Sequence, residues 1–192
     1  MKKFSKNRKK MLDFWKRTAY NESSNKRKAI KMNVVIFDLD ETVIDSRHRT
    51  PNNPDGSLNL AAYMERHTAE NVAKDTLLPL ADVMKACYSR GDYVIVLTAR
   101  DMKKCDYGFL AFHGLKYNLI LSRDKAKPSH YALKDGDYKE RFIKPLLNLK
   151  PFKNANIVMF DDAKPVKATL RKLFPVVCAH KANKKLAKIG KR

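Results

Sequence analysis

Residues 34–42 read Val-Val-Ile-Phe-Asp-Leu-Asp-Glu-Thr, an apolar, β-branched-rich run that ends in two carboxylates one residue apart. Such a run, bounded by polar residues, predicts a buried strand of a parallel sheet with Asp38 and Asp40 at its carboxyl end. In open α/β sheets that edge is where ligands bind. Residues i and i+2 of an extended chain point to the same side, so Asp38 and Asp40 are expected to face one small space while Leu39 turns away. Two carboxylates there repel unless a hard cation such as Mg²⁺ bridges them or one stays protonated as a general acid. With the cation bound, one carboxylate can attack an electrophile while the other handles protons. The same residues also suit a helix start capped by Asp40.

Two further runs end in the same way. Tyr93-Val94-Ile95-Val96-Leu97-Thr98-Ala99-Arg100 closes on a hydroxyl and a guanidinium, and Ile157-Val158-Met159-Phe160-Asp161-Asp162 closes on paired acids. Between the first and second of these runs, at 34–42 and 93–100, the pattern predicts a polar loop over 46–57, helices over 60–70 and 80–90, and a stop at Gly91. Helix 101–113, strand 118–121 and helix 137–147 follow. Strands alternating with helices predict an α/β fold whose parallel sheet is covered on both faces. No internal repeat is apparent.

The chain has 192 residues and 44% hydrophobic content, enough for one well-packed domain plus tails. The formal charge is +21. Residues 1–32 hold 12 Lys or Arg against Asp13 and Glu22, and residues 181–192 hold six and no acid. Three units are therefore expected: a basic N-terminal arm over 1–32, a catalytic domain over 33–180 with 46–78 as loop and small cap, and a basic C-terminal tail over 181–192. Phe4, Phe14, Trp15 and Tyr20 lie among the arm's bases, a mixture suited to clamping phosphates and stacking on bases. An amphipathic helix through Met11, Phe14 and Trp15 and a solvated basic arm that binds polyanions nonspecifically are the other readings of that segment. Cys87, Cys105 and Cys178 are odd in number and contain no C-x-x-C pair, so they read as reduced thiols. No apolar run is long enough for a membrane span or follows the basic start as a signal core, and a cytoplasmic protein is expected. No G-x-x-x-x-G-K-[ST] loop is present, so no kinase half is expected.

In their order and spacing, the three strand ends resemble the haloacid dehalogenase-like (HAD) phosphohydrolase superfamily. Its pattern is DxDx[TV], a strand ending in Ser or Thr, a Lys, and a strand ending in acids. Within that superfamily the chain resembles the 3′-phosphatase domain of phage-type polynucleotide kinase and related phage phosphatases, over about residues 33–180. The resemblance implies a Rossmannoid three-layer sandwich with a minimal cap. It makes Asp38 the nucleophile, Asp40 the acid/base, Thr98 a hydrogen-bond partner of the phosphoryl group and Arg100 a phosphate grip, a task that suits the guanidinium fork. Lys134 and Lys139 both lie where the family lysine falls. The segment from Asp137 to Ile143 favours Lys139, at a helix start whose free N–H groups would add to its charge. Asp161 and Asp162, with Asp38 and the backbone carbonyl of Asp40, would hold Mg²⁺ through oxygen ligands. An Asp-Asp pair before Ala163-Lys164-Pro165 also suits a helix cap. Arg123 resembles a substrate-side arginine, and Arg47, His48 and Arg49 lie where a leaving group or neighbouring phosphates would pass.

One position departs from the kinase-linked phosphatases, which carry Gly where this chain has Glu41; the Asp-Glu-Thr form looks more like the HAD acid phosphatases. That departure leaves the catalytic roles intact and counts against polynucleotide ends; the expected activity is nonetheless Mg²⁺-dependent removal of 3′-phosphates from nucleic-acid ends through an aspartyl-phosphate, because a small cap leaves the site open to a polymer end. The alternatives are a nucleotide or small-molecule phosphatase, and a basic nucleic-acid-binding protein on a HAD scaffold. If the phage resemblance holds, the protein acts in the host cytoplasm.

Overall fold

The run that opens the sequence argument is a strand, Asn33–Phe37, and Val34 to Phe37 are wholly buried. The computed structural model describes residues 31–55 and 58–190. In chain order the elements are β1 (Asn33–Phe37), β2 (Ile44–Asp45), a 3-10 turn (Arg47–Arg49), α1 (Leu60–Arg66), α2 (Ala69–Ala73), β3 (Thr76–Leu77), α3 (Leu80–Arg90) and β4 (Tyr93–Asp101). They continue with α4 (Lys104–Phe112), β5 (Leu119–Arg123), α5 (Pro128–Tyr131), α6 (Asp135–Leu147), β6 (Asn156–Asp161), α7 (Lys164–Leu170), β7 (Val176–Cys178) and α8 (Ala179–Gly190).

Five strands pair in the order β5-β4-β1-β6-β7, and every pairing is parallel. Period-two alternation sorts their side chains into two cores. Val35, Phe37, Val94, Val96, Val158 and Phe160 pack against α3, α4 and α8. Val34, Ile36, Ile95, Leu97 and Met159 pack against α6 and α7. This is the three-layer α/β sandwich expected from the alternating pattern, and it leaves the central strands apolar on both faces. Among the described residues, the helical elements between β2 and β3, which form their own antiparallel pair, are the 3-10 turn, α1 and α2.

Several boundaries differ from the sequence expectation for identifiable reasons. The helix expected over 60–70 is two helices, because Thr68 takes an extended conformation and its hydroxyl accepts from Asn71 N–H to start α2. The helix expected from 101 starts at Lys104, because β4 runs on past a register shift after Leu97 and still pairs with β5 at Asp101 and Arg123. α3 ends as expected, with Gly91 at φ 87, a left-handed C-terminal position that glycine fills without strain.

The larger correction is at the C-terminus. The segment set apart as a basic tail from 181 is helical through Gly190, as part of α8. Ala179, Ala182, Asn183 and Leu186 are buried at helical spacing while the lysines face outward. Asn183 fastens it: its Oδ1 accepts from Leu80 N–H (2.8 Å) and its Nδ2 donates to the Thr42 carbonyl (3.0 Å). The basic arm over residues 1–30, with its clamp, amphipathic-helix and solvated-arm readings, lies outside the described residues. All three cysteines are free, and among the described residues no helix is long and apolar enough to cross a membrane.

Replacing Asn183 with Ala strands two buried backbone groups, each worth about 1–3 kcal/mol. A thermal melt of Asn183→Ala should show a clearly lowered Tm with the two-state transition retained; an unchanged Tm would mean that α8 is not held in this way.

Candidate active site

The sheet register decides which side chains meet. Phe37 and Phe160 are partners across β1 and β6, so the residues that follow them, Asp38 and Asp161, emerge side by side. Asp38 N–H donates to the Phe160 carbonyl (3.0 Å), which keeps the chain extended for one residue beyond the strand. The Lys139 ammonium lies between the two acids, 2.9 Å from Asp38 Oδ1 and 2.7 Å from Asp161 Oδ2. Lys134, by contrast, sits exposed at the N-cap of α6.

Lys139 does not open its helix, as the sequence suggested, but lies four residues past the start of α6 at Asp135. It gains nothing from free N–H groups there and reaches the acids because Gly136 lets α6 approach α7. A Cβ on Gly136 would lie 2.8 Å from Thr169 Oγ1.

Burial pushes the Asp38 carboxyl well up; Lys139 opposes the shift, and Asp161, Asp162 and Asp40 add to it. Burial also raises Asp162, with Asp161 reinforcing the effect. Lys139 is buried, but Asp38 and Asp161 outweigh that cost and hold its proton firmly. One ammonium therefore faces three carboxylates, and oxygens of Asp38, Asp161 and Asp162 lie within 4.8 Å of one another. A deficit of positive charge among oxygen donors is what a hard divalent cation fits. Asp161 is held on its other oxygen by Ala163 N–H (2.9 Å), and the N-cap of α7 is Ala163, so neither Asp takes the capping position.

Asp40 sits in a second environment. Its Oδ1 accepts from Ser46 Oγ (2.6 Å) and from Arg100 Nη2, and its Oδ2 accepts from Arg100 Nε (3.1 Å). Burial disfavours its charge, but the Arg100 guanidinium and the Ser46 hydroxyl overturn that and hold the carboxyl well below the usual range. Arg100 is buried and donates its remaining edge to Asp106 Oδ1 (2.6 Å). Asp106 Oδ2 in turn meets Lys103 N–H (2.8 Å) and His67 Nε2 (2.7 Å). Thr98 is buried, and its hydroxyl oxygen accepts from Arg100 N–H (3.1 Å).

Two expected substrate contacts are placed elsewhere. Arg123 turns inward, donating to the carbonyls of His130 and Leu133 (3.0 Å for the latter) and to Asp135 (2.7 Å), with its guanidinium over the Tyr138 ring. Its donors organise the loop before α6. Arg47 is exposed and pairs with Asp45 and Glu41. His48 contacts the Asn71 carbonyl (3.0 Å). Arg49 alone of that trio is buried, forked onto Asp75. Sequence reasoning passed over Ser46, Tyr63, His67, Asp75 and Asp106 as functional residues. Asp106 fell inside the expected helix 101–113 with nothing to mark it, and only its approach to Arg100 distinguishes it.

Residues 24–191 match the sequence family described as Bacteriophage T5 5′-deoxynucleotidase. The chain belongs to that family. It is 35% identical over 150 residues to the 5′-deoxynucleotidase of Escherichia phage T5, a match covering 69% of this chain and 61% of that one. The chain thus spans about three fifths of the curated relative's length. Among solved structures, the Pnkp1/Rnl/Hen1 complex aligns with TM-score 0.56 at 23% identity, over 83% of this chain and 49% of that one. A haloacid dehalogenase-like hydrolase from Streptococcus pneumoniae gives 0.55 at 13%, over 77% and 84%. A HAD-superfamily hydrolase from Geobacter sulfurreducens gives 0.51 at 11%, over 77% and 89%. These likenesses establish the HAD-like fold that the three strand ends suggested.

Glu41 provides a pH test of the site. Burial raises its carboxyl from 4.5 to about 7, with Asp45 and Asp40 adding to the rise and Ser46 N–H and Arg47 opposing it. A folded-state pKa above the unfolded one gives stability that is complete below the unfolded value and is lost as pH rises through the folded one. In EDTA the Tm should therefore fall between about pH 4.5 and 7, and Glu41→Gln should flatten that fall. Identical pH profiles for the two proteins would contradict the shift.

Proposed function

We propose that the chain is a divalent-metal-dependent phosphomonoesterase that acts through an aspartyl-phosphate on Asp38, with deoxynucleoside 5′-monophosphates as substrates. The observation that carries the reading is buried Asp38 braced by Lys139 and set beside Asp161 and Asp162. The substrate class follows from the 5′-deoxynucleotidase relative at 35% identity.

An Asp38 oxygen attacks phosphorus, and the bond from phosphorus to the ester oxygen of the nucleoside breaks. Asp40 gives that oxygen its proton. Water then attacks the phosphorus of the acyl phosphate, Asp40 takes the proton, and inorganic phosphate and free Asp38 result. Lys139 and Thr98 offset charge on the transferring group, and Lys139 keeps Asp38 aimed. A Mg²⁺ held by Asp38, Asp161, Asp162 and the Asp40 carbonyl would neutralise the phosphate and the crowded acids. Arg100 holds Asp40 ionised in the free protein, which suits the second step. An arriving phosphate monoanion competes for the guanidinium and loosens that hold, and Asp40 takes from that phosphate or from water the proton that it passes to the leaving oxygen in the first step.

A second reading keeps the 3′-phosphate at a nucleic-acid end as substrate. The observations that favour it are the formal charge of +21 and the small set of elements between β2 and β3. The two readings, and a role in binding alone, separate in one assay. Phosphate release is measured in Mg²⁺ and in EDTA from a deoxynucleoside 5′-monophosphate, a 3′-phosphorylated oligonucleotide and a 5′-phosphorylated one. Mg²⁺-dependent release mainly from the mononucleotide is expected, and Asp38→Asn should lower it by a factor on the order of 10⁴ or more. Preference for the 3′-phosphorylated oligomer would install the second reading, and no release from any substrate would leave the binding role.

A further inference from the structure

Two buried donors near the pair formed by Asp40 and Arg100 have no hydrogen-bond partner among the described residues. Arg49 is 1% exposed and commits Nε and Nη2 to Asp75, at 2.9 and 2.7 Å, while its Nη1 is shut away from solvent without a hydrogen bond. The hydroxyl of Tyr63, a residue 6% exposed, is in the same state. The Arg49 guanidinium carbon lies 5.8 Å from the Tyr63 ring centre. That ring lies 5.4 Å from the His67 ring, and His67 leads through Asp106 to Arg100. Burial pushes the Tyr63 hydroxyl up to about 12, and the nearby Asp40 charge adds to the shift, while Arg100 opposes it and Arg49 opposes it both by charge and by the approach of its guanidinium to the hydroxyl. Both donors thus lie close enough to Asp40 and Arg100 to feel their charges.

An unmade hydrogen bond on a buried donor costs about 1–3 kcal/mol, so two side by side are a substantial standing cost. α1, which carries Tyr63, buries no other residue, and an element with so little apolar contact opens at low free energy. Lifting it exposes both donors together. The Arg49 charge is already balanced by Asp75, so the pair calls for an oxygen acceptor and not for a further anion. In the reaction proposed above, the group beyond Asp40 is the leaving alcohol.

We propose that Arg49 Nη1 and Tyr63 Oη form the leaving-group subsite, donating hydrogen bonds to sugar oxygens of a deoxynucleoside while α1 closes over it. The proposal rests on the phosphomonoesterase reading for its substrate, and its test is independent of turnover. Binding of deoxythymidine 5′-monophosphate and of inorganic phosphate is measured by calorimetry in Asp38→Asn and in the same protein with Tyr63→Phe or Arg49→Lys added. Tyr63→Phe keeps the ring and removes only the hydroxyl. Each added change should weaken the nucleotide about tenfold and leave inorganic phosphate within about twofold. Equal losses for both ligands, or no loss for the nucleotide with Tyr63→Phe, would overturn the subsite. Absence of phosphate release by the parent chain would sink the phosphatase reading instead, and the binding ratio would still decide the subsite.

Discussion

The Lys139 ammonium shared between Asp38 and Asp161 is the contact on which the rest of the site depends. It joins α6 to the ends of β1 and β6, three segments far apart in sequence. Removing one ammonium and two carboxylates from water costs several kcal/mol per ion, and only close, well-directed pairing repays it. That geometry is set by packing. The β1 and β6 register brings the acids together, the α6 stripe through Ile143 seats the helix on the sheet, and Gly136 permits its closeness to α7. Three carboxylates against one ammonium leave the cluster short of positive charge, so the apolar sandwich delivers a site that calls for a cation.

Asp38 and Asp40 are two residues apart and live in opposite electrostatic settings. Asp38 is raised by burial among other acids, whereas Asp40 is pulled down by the Arg100 fork and the Ser46 hydroxyl. Pairs of carboxylates whose environments push them apart take different roles in a reaction. Here the separation is structural, because Leu39 is buried between them and each acid meets a different cation. Arg100 is itself fixed by Asp106, so the state of Asp40 depends on α4 and, through His67, on the segment between α1 and α2.

What was legible in the sequence was whatever depends on local pattern. The three apolar runs are continuous, as strands buried on both faces must be, and are the three central strands, and α3 ends at the glycine that signals its end. Lys139 was preferred to Lys134 through the resemblance of its segment to that of the family lysine, and in the fold it shares an inward stripe with Ile143 four residues on. α8 was hidden because lysine-rich composition masks a narrow apolar stripe, and its placement depends on Asn183 bonding to Thr42 and Leu80, more than a hundred residues away. The inward course of Arg123 was not legible, because its partners include carbonyls of a loop whose path no local pattern specifies. Asp106 and Asp75 became visible only when the fold brought arginines to them.

The turn after the first strand shows how much structure is spent on aiming Asp40. Glu41 has φ 53, a left-handed conformation that a side chain resists and that persists where surrounding contacts over-determine it. Those contacts are present: the N–H groups of Thr42, Val43 and Ile44 all converge on the Leu39 carbonyl, and Glu41 N–H reaches back to Ile44. The reversal carries the chain round so that Ser46 can donate to the Asp40 carboxylate. The Glu41 carboxylate then accepts from Ser46 N–H, bracing the residue that braces the acid. A glycine at 41 would meet the backbone demand alone. Glutamate adds the second support at the cost of strain, and it also places a half-buried carboxylate beside the one that Arg100 must keep ionised.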